Sequence, residues 1–188
     1  MRVIAGSAGG IQLDVPKSGV RPTMDRVKAA IFSSLGEMVV SARVLDLFAG
    51  TGALGLEALS RGAASALFVE ENAAAISAIE RNLARTKFEG RIRKQDVFAF
   101  LRSASTREPF RIIFADPPYE KTKSGEAFTQ LLLDSRELAE MLEPSGIFVL
   151  EKRPGEKVPA AALWNLTRAR RYGATEVLFL QRSEAGAS

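Results

Sequence analysis

Residues 43–55 constrain the fold more than any other stretch of this 188-residue chain, and they read Arg-Val-Leu-Asp-Leu-Phe-Ala-Gly-Thr-Gly-Ala-Leu-Gly. An apolar run with one embedded acid, Asp46, is followed by Gly50, Gly52 and Gly55. This order predicts a buried parallel strand, a tight turn and the start of a helix. In an α/β sheet such a junction holds a nucleotide-like ligand, because glycines let the backbone approach without a Cβ clash.

Two kinds of ligand are compatible with this stretch. As G-x-G-x-x-G it fits a dinucleotide site, in which Glu70 after the next strand would bind the ribose. As D-x-F-x-G-x-G it fits a site for S-adenosylmethionine. Burying the carboxylate of Asp46 is costly unless it is hydrogen-bonded, so we expect it to meet loop amides, a cationic amino group of the ligand, or both.

The composition excludes several kinds of chemistry. The chain has no cysteine and no histidine, which excludes disulfides, thiolate nucleophiles, imidazole bases and histidine-bound zinc. No apolar run approaches the ~20 residues of a membrane span, and no signal peptide follows Met1, so we expect a cytoplasmic protein without a membrane partner. The net charge of +4 favours an anionic partner.

Strand and helix patterns alternate from residue 43 onwards. This alternation predicts an α/β fold with a doubly wound, Rossmann-like, seven-stranded and mostly parallel sheet. The predicted strands are 43–49, 65–70, 91–95, 111–115 and 146–151, followed by a hairpin of Trp164–Arg171 and Thr175–Gln181. The predicted helices are 53–61, 72–87, 97–104 and 125–142.

Residues 1–36 are predicted to be an accessory piece that precedes a main domain of residues 37–188. Short apolar patterns at Arg2–Ala5 and Ile11–Val15 predict a β-hairpin. A helix follows, with Thr23 as its N-cap. Its predicted buried face consists of Val27, Ala30, Ile31, Ser34 and Leu35.

The accessory piece is basic, since Arg2, Lys17, Arg21, Arg26 and Lys28 outnumber Asp14 and Asp25. A basic, glycine-rich hairpin fits contact with phosphates. A solvated edge that merely covers the sheet is equally compatible with this composition.

The segment Asp116-Pro-Pro-Tyr119 carries the clearest chemical signal. It follows the fourth predicted strand, which in a doubly wound sheet lies beside the first, at the crevice where ligands bind. Prolines lack an N–H and hold the preceding residue extended, so the segment presents a carboxylate and a backbone carbonyl. These two acceptors suit the two N–H bonds of an exocyclic amine, and the ring of Tyr119 offers a surface on which a base can stack.

Two further acids end predicted strands. Glu70 ends the second strand, where a carboxylate can bind ribose hydroxyls. Asp96 ends the third strand and is compatible with two roles, accepting from an adenine amino group or capping the following helix.

The segment Asp116-Pro-Pro-Tyr119 decides between the two kinds of ligand that residues 43–55 could bind. A dehydrogenase needs neither an acid inside its first strand nor an amine-accepting loop beside it, whereas methyl transfer to an amine uses both. No strong base is needed, because the proton leaves the nitrogen after the methyl group arrives. The absence of histidine is therefore compatible with this chemistry, which depends mainly on positioning.

The motif Asp46-Leu-Phe-Ala-Gly-Thr-Gly52 together with Asp116-Pro-Pro-Tyr119 resembles the class I S-adenosylmethionine-dependent amino-methyltransferases. Three further stretches narrow this resemblance to one family. They are Arg2-Val-Ile-Ala-Gly6 with Gly10, Arg21-Pro-Thr-Met-Asp-Arg-Val27 with Phe32, and Gly55-Leu-Glu-Ala-Leu-Ser-Arg-Gly62. With them the chain is similar, over about residues 1–182, to the bacterial 16S ribosomal RNA guanine-966 N2-methyltransferases (the RsmD family).

The resemblance implies a role for each group of residues. The catalytic segment would be Asp116, Pro117, Pro118 and Tyr119. The residues that bind S-adenosylmethionine would be Asp46, Ala49, Gly50, Thr51, Gly52, Glu70 and Asp96. The residues that contact RNA would be Arg2, Lys17, Arg21, Arg26, Lys121 and Lys123. Ser33 departs from the Phe-Asn that many members have here, so a polar role at this position is not implied.

The implied substrate is 16S rRNA within the 30S subunit or a late assembly intermediate, and we expect a monomer without a metal. Two alternatives remain open. One is an amino-methyltransferase for DNA adenine or another ribosomal RNA, although so short a chain leaves little room for a DNA-reading domain. The other is a non-catalytic module that binds S-adenosylmethionine and RNA, which would not need Asp116-Pro-Pro-Tyr119.

Overall fold

The molecule is built around one mixed sheet. A computed structural model describes residues 1–16, 25–103, 108–118, 127–156 and 162–183. The strands are β1 (Arg43–Leu47), β2 (Ser65–Glu70), β3 (Arg91–Lys94), β4 (Phe110–Ala115), β5 (Leu142–Lys152), β6 (Trp164–Tyr172) and β7 (Thr175–Arg182). The helices are α1 (Asp25–Leu35), α2 (Ala53–Ser60), α3 (Ala73–Thr86), α4 (Val97–Ser103), α5 (Phe128–Asp134) and α6 (Arg136–Glu140), and a short 3-10 helix, Gly36–Val39, follows α1.

The strand order is β3-β2-β1-β4-β5-β7-β6. Strands β1 to β5 run parallel, whereas β7 is antiparallel to β5 and β6 is antiparallel to β7. The predicted doubly wound, mostly parallel sheet of seven strands is confirmed. A doubly wound sheet consists of two halves, here β1 to β3 and β4 onwards, and each half begins at one of the neighbouring strands β1 and β4. The crevice where ligands bind therefore lies between the carboxyl ends of these two strands.

Helices cover both faces of the sheet. Apolar side chains of α1, α2 and α3 share one hydrophobic cluster with the side chains on one face. Those of α4, α5 and α6 share a second cluster with the other face. Val3, Ala8 and Leu13 of the N-terminal segment belong to the first cluster. The accessory piece therefore shares its core with the sheet. None of the described helices is both long and apolar enough to cross a bilayer.

The N-terminal hairpin is less regular than predicted. Between Arg2–Ala5 and Ile11–Val15 only one β-bridge forms, Arg2 with Gln12. Backbone hydrogen bonds at Val3 and Leu13 support it. The segment is a loop closed by this bridge, because much of its backbone bonds to α2 and α3 instead of to itself.

The buried face of α1 is rotated from the predicted one. Lys28 and Phe32 are fully buried beside Val27, Ile31 and Leu35, whereas Ala30 and Ser34 are half-buried. Phe32 packs on Phe114 of β4, with ring centroids 5.6 Å apart, and Lys28 has a buried anionic partner. The predicted N-cap, Thr23, lies outside the described residues.

The predicted helix over 125–142 is wrong. Two short helices, α5 and α6, occupy this region, and β5 begins at Leu142. Ser135 has an extended backbone and its hydroxyl accepts from the Leu138 amide, so it ends α5 and caps α6. Leu142 then pairs with Phe110. The remaining element bounds differ from the prediction by one or two residues, or lengthen the predicted strands.

Candidate active site

The site lies where β1 and β4 end side by side. Asp46 pairs with Phe114 and Leu47 with Ala115, so Asp116, directly after β4, lies diagonally across from Asp46. The negative charge of Asp116 contributes to the raised pKa of Asp46. The structure thus brings together the two acids that the sequence motifs singled out.

Asp46 organises the glycine loop. Its Oδ2 accepts a hydrogen bond of 2.9 Å from the Gly55 amide, and its side chain is buried, with 2% relative exposure for the residue. Gly52 has a φ of 76°, a conformation that costs glycine little. A Cβ on Gly55 would lie 2.3 Å from Cε1 of Phe68. The third glycine therefore allows α2 to pack closely against β2.

Burial is the main reason that the pKa of Asp46 is raised to about 8. The carboxylates of Asp116 and Glu70 add to this effect, and the hydrogen bond from Gly55 opposes it. All the charged groups that shift this pKa in the described part of the chain are acids. Three carboxylates that converge in this way favour a cationic ligand group, because a positive charge stabilises their ionised form.

Glu70 closes the loop from the side of β2. Its Oε2 accepts from the Gly50 amide at 2.8 Å. Its Oε1 accepts from the amides of Glu71 and Asn72 at 3.0 and 2.8 Å. Glu70 therefore positions the loop. Two carboxylate oxygens have about four acceptor directions, so three amides leave capacity for a ligand hydroxyl.

Asp96 follows β3 and caps the next helix. Its Oδ1 accepts from the Ala99 amide at 2.7 Å, and its backbone carbonyl accepts from Phe100 at 2.9 Å. The capping role, one of the two expected, is thus present in the structure. The adenine contact stays a prediction.

The predicted catalytic segment begins directly after β4. Asp116 is half-buried, Pro117 is buried and Pro118 is exposed. The segment is therefore anchored on the sheet and open on the side away from it. Tyr119, Lys121 and Lys123 lie outside the described residues, as do Lys17 and Arg21.

Three half-buried phenylalanines form an apolar wall beside this segment. Phe48 follows β1 with a φ of 54°, Phe98 lies in α4 and Phe128 begins α5. The ring centroids of Phe98 and Phe128 are 5.9 Å apart in a stacked arrangement, and both contact Phe48. A half-exposed aromatic wall is a suitable surface for a planar base.

Asn82 is a site residue that the sequence motifs did not reveal. Its side chain is fully buried on α3. Its Nδ2 donates to the carbonyl of Thr51 at 3.0 Å and to that of Asp14 at 3.1 Å. Its Oδ1 accepts from the Asp14 amide at 2.6 Å. One amide side chain therefore ties the glycine loop to the N-terminal segment.

A second connection joins the N-terminal segment to α2. The buried carboxylate of Glu57 accepts from the amides of Ile4 and Ala5 at 2.7 and 3.1 Å and pairs with Lys28 at 3.2 Å. Arg61 donates to the same carboxylate at 2.8 Å. Both Glu57 and Arg61 belong to the motif of residues 55–62, which signalled their importance but not their partners.

The basic residues proposed for RNA contact differ in exposure. Arg26 is exposed at the start of α1. Arg2 is exposed as well, and its Nε lies 3.7 Å from Asp25. Lys28, counted above among the basic residues, is fully buried beside Glu57, and burial lowers its pKa. It cannot contact RNA. Ser33 is exposed on α1.

Known proteins are similar to this chain in sequence and in fold. A family described as Conserved hypothetical protein 95 matches residues 1–181. The Ribosomal RNA small subunit methyltransferase D of Escherichia coli (strain K12) is 37% identical over 191 residues, which cover 100% of this chain and 93% of that protein. The protein of the same name from Haemophilus influenzae is 30% identical over 177 residues, or 92% of this chain and 89% of that one.

The chain belongs to the family described as Conserved hypothetical protein 95.

The solved structure of a hypothetical protein from Thermus thermophilus superposes with a TM-score of 0.81 at 30% identity, covering 96% of this chain and 99% of that one. Family membership and fold confirm the resemblance drawn from the sequence. They also confirm the enzyme class, a ribosomal RNA methyltransferase.

Proposed function

We propose that this enzyme transfers the methyl group of S-adenosylmethionine to the exocyclic N2 amine of a guanine in 16S rRNA of the small ribosomal subunit. The observation that carries this proposal is the juxtaposition of Asp46 and Asp116 at the ends of β1 and β4. Asp46 accepts a hydrogen bond from the glycine motif suited to the cofactor, and Asp116 begins a segment suited to an amine. The names of the relatives in this family support the choice of RNA.

The residues of the β1–β2–β3 half fit S-adenosylmethionine. The converging carboxylates of Asp46, Glu70 and Asp116 suit its cationic groups. Glu70 has acceptor capacity for ribose hydroxyls, and Asp96 lies at the end of β3, where the adenine would follow. Ala49, Gly50, Thr51 and Gly52 would supply the backbone of the cradle. When bound, the cofactor supplies a methyl group activated by a positively charged sulfur.

Residues 116–118 would hold the target base. The carboxylate of Asp116 and a backbone carbonyl of the Pro-Pro segment accept the two N–H bonds of the amine. This concentrates the lone pair on nitrogen and directs it towards the methyl carbon. The nitrogen would then take up the methyl group that the bound cofactor supplies, the electron pair of the former methyl bond would stay with the cofactor, and the proton would leave the nitrogen for solvent. Such positioning supplies about 7–11 kcal/mol of barrier reduction in well-aligned systems.

The target guanine must leave its stack to reach this segment, which costs a few kcal/mol and least in an exposed loop. Arg2 and Arg26 of the accessory piece are exposed and available to contact the surrounding phosphates. A substrate within the ribosomal subunit also agrees with the cytoplasmic location expected from the sequence.

The proposal is tested with labelled S-adenosylmethionine offered in parallel to 30S particles, naked 16S rRNA and DNA, followed by identification of the modified nucleoside. We expect N2-methylguanosine from 30S particles. Label in DNA adenine or in another ribosomal RNA would contradict the substrate, and no transfer to any nucleic acid would favour the non-catalytic alternative.

The role of Asp116 is tested by Asp116→Ala. We expect transfer to fall below detection while the dissociation constant for S-adenosylmethionine changes by only a few-fold. Asp134→Ala, an exposed acid on α5, is the matched control and should keep normal turnover. Normal turnover by Asp116→Ala would remove this residue from the mechanism.

A further inference from the structure

The outer strand β6 presents a basic surface that the proposed chemistry does not use. Its nine residues, Trp164–Tyr172, form one edge of the sheet. Arg168, Arg170 and Arg171 are exposed, and the strand contains no acid. We call these three arginines the β6 surface.

The charges of the β6 surface are directed to solvent. Among the described residues, none of the three guanidinium groups pairs with a carboxylate within 4.0 Å. Within the described part of the chain, Arg170 donates only to the neighbouring carbonyl of Ala169, and Arg171 only to that of Gly173. Arg168 lies 6.0 Å from the centroid of the Phe179 ring. An anionic partner could therefore bind these groups without breaking an ion pair.

The strand register places this surface level with the catalytic segment. Ala115 pairs with Leu150, Leu150 with Leu178, and Leu178 with Ala169. Arg170 is therefore at the same height in the sheet as Asp116. Three strand spacings of about 4.8 Å put the two positions about 14 Å apart across the sheet. A few nucleotides of single-stranded RNA can span this distance.

The positions of the candidate cofactor residues indicate on which side of Asp116 the RNA would extend. Of the candidate cofactor residues, Glu70 ends β2 and Asp96 follows β3, on one side of the crevice. The catalytic segment follows β4, at the start of the half that continues through β5 and β7 to β6. A polynucleotide that delivers a base to Asp116 therefore has the β5–β7–β6 half available to it.

The β6 surface also shares a face with the accessory piece. Arg168 and Arg170 pair with Phe179 and Val177, which belong to the same cluster as α1. Arg168 and Arg170 therefore lie on the face of the sheet that α1, with its exposed Arg26, covers. Charged side chains also protect an edge strand from pairing with other chains, but that role does not depend on alignment with Asp116.

We propose that the β6 surface binds phosphates of the RNA strand that flanks the target base. This inference rests on the proposed function, because it takes a ribosomal RNA as the substrate. The accessory piece and the β6 surface would then hold the RNA from two directions around the catalytic segment.

The test compares two double variants on opposite edges of the sheet. Arg168→Ala/Arg170→Ala removes two charges from β6. Arg91→Ala/Arg93→Ala removes two exposed charges from β3, which is also three strands from β4, and serves as the matched control. Methyl transfer to 30S particles is measured over a range of salt concentrations, together with the dissociation constant for S-adenosylmethionine and the thermal midpoint.

For the β6 variant we expect KM for the particle to rise about tenfold, with kcat and cofactor affinity unchanged. Two lost phosphate contacts should reduce the slope of log affinity against log salt by about 1.4, at ~0.7 per contact with a single strand. Arg168→Lys/Arg170→Lys should restore most of the affinity, because phosphates attract either cation. An unchanged KM and salt slope, or an equal loss in the β3 control, would overturn the inference. If the wild-type enzyme itself fails to methylate RNA, the proposed function fails instead.

Discussion

The carboxyl group of Asp46 predicts an unusual dependence of stability on pH. Its pKa lies at about 8 in the folded protein, because of burial, against 3.8 for the unperturbed group. The folded state thus holds the proton more tightly than the unfolded state. Its contribution to stability is complete below pH 4 and is lost as pH rises towards 8.

Asp46→Asn should therefore become progressively more stable than the wild type, in the absence of cofactor, as pH rises from 4 to 8. Asparagine keeps an oxygen that can accept from the Gly55 amide but carries no charge. Chemical denaturation at several pH values measures the free energy of unfolding, with Asp134→Asn as an exposed control. Parallel pH curves for Asp46→Asn and the wild type would contradict the raised pKa.

Individual residues differ in how far the sequence could predict them. Asp46, Glu70 and Asp116 could be placed because each lies in, ends or directly follows a strand, and parallel strands bring their carboxyl ends to one edge. Asn82 could not, since its partners Asp14 and Thr51 are 68 and 31 positions away. A buried amide and a solvated amide have the same local sequence pattern.

At the scale of elements, the approach of α2 to β2 depends on Gly55. A Cβ at this position would meet the Phe68 ring at 2.3 Å, so we expect Gly55→Ala to destabilise the protein by about 1–3 kcal/mol through overpacking. The Gly55 amide is also the donor to Asp46. Displacement of α2 should therefore weaken binding of S-adenosylmethionine as well.

A double-mutant cycle with Phe68→Leu tests the cause. The smaller side chain removes the ring atoms that clash, so Gly55→Ala should cost less in the Phe68→Leu background than in the wild type. Thermal denaturation and calorimetric titration with S-adenosylmethionine supply both readouts. Additive losses would show that steric contact with Phe68 is not the reason for the glycine.

The regular elements were predictable where periodicity and end signals agree, as for β1 to β4 and the helices between them. The prediction of one helix over residues 125–142 is wrong because the apolar positions continue a helical pattern across Ser135. The serine hydroxyl there caps a new helix in preference to continuing the old one. Serine stabilises a helix start and is tolerated within helices, so sequence alone did not decide between them.

At the scale of the whole molecule, the N-terminal segment and the glycine loop are parts of one structure. Glu57 and Ser60 of α2 hold the segment near its start. Asn82 holds it again at Asp14 and holds the loop at Thr51. The sequence pattern alone predicts an accessory piece over residues 1–36, because contacts between distant residues leave no periodic pattern. The boundary at residue 36 stays a prediction.

Asn82→Ala should show this connection in a measurement. Removal of the amide leaves the Asp14 amide and the Thr51 carbonyl without their partner, which should cost about 1–3 kcal/mol of stability. The loop would also lose the contact that fixes Thr51. We therefore expect weaker binding of S-adenosylmethionine by several-fold, together with weaker particle binding, because Asp14 precedes the basic residues of the accessory piece.

Thr86→Val is the matched control for this prediction. Thr86 is buried on the same helix, and among the residues that the structure describes its hydroxyl donates only within α3, to the carbonyls of Asn82 and Leu83. The Thr86→Val variant should therefore lose stability but keep its affinity for S-adenosylmethionine and for the 30S particle. Calorimetric titration with S-adenosylmethionine and filter binding of 30S particles, at a temperature where both variants are folded, separate the two effects. Equal affinities in Asn82→Ala and Thr86→Val would mean that Asn82 contributes to stability alone and does not position the loop.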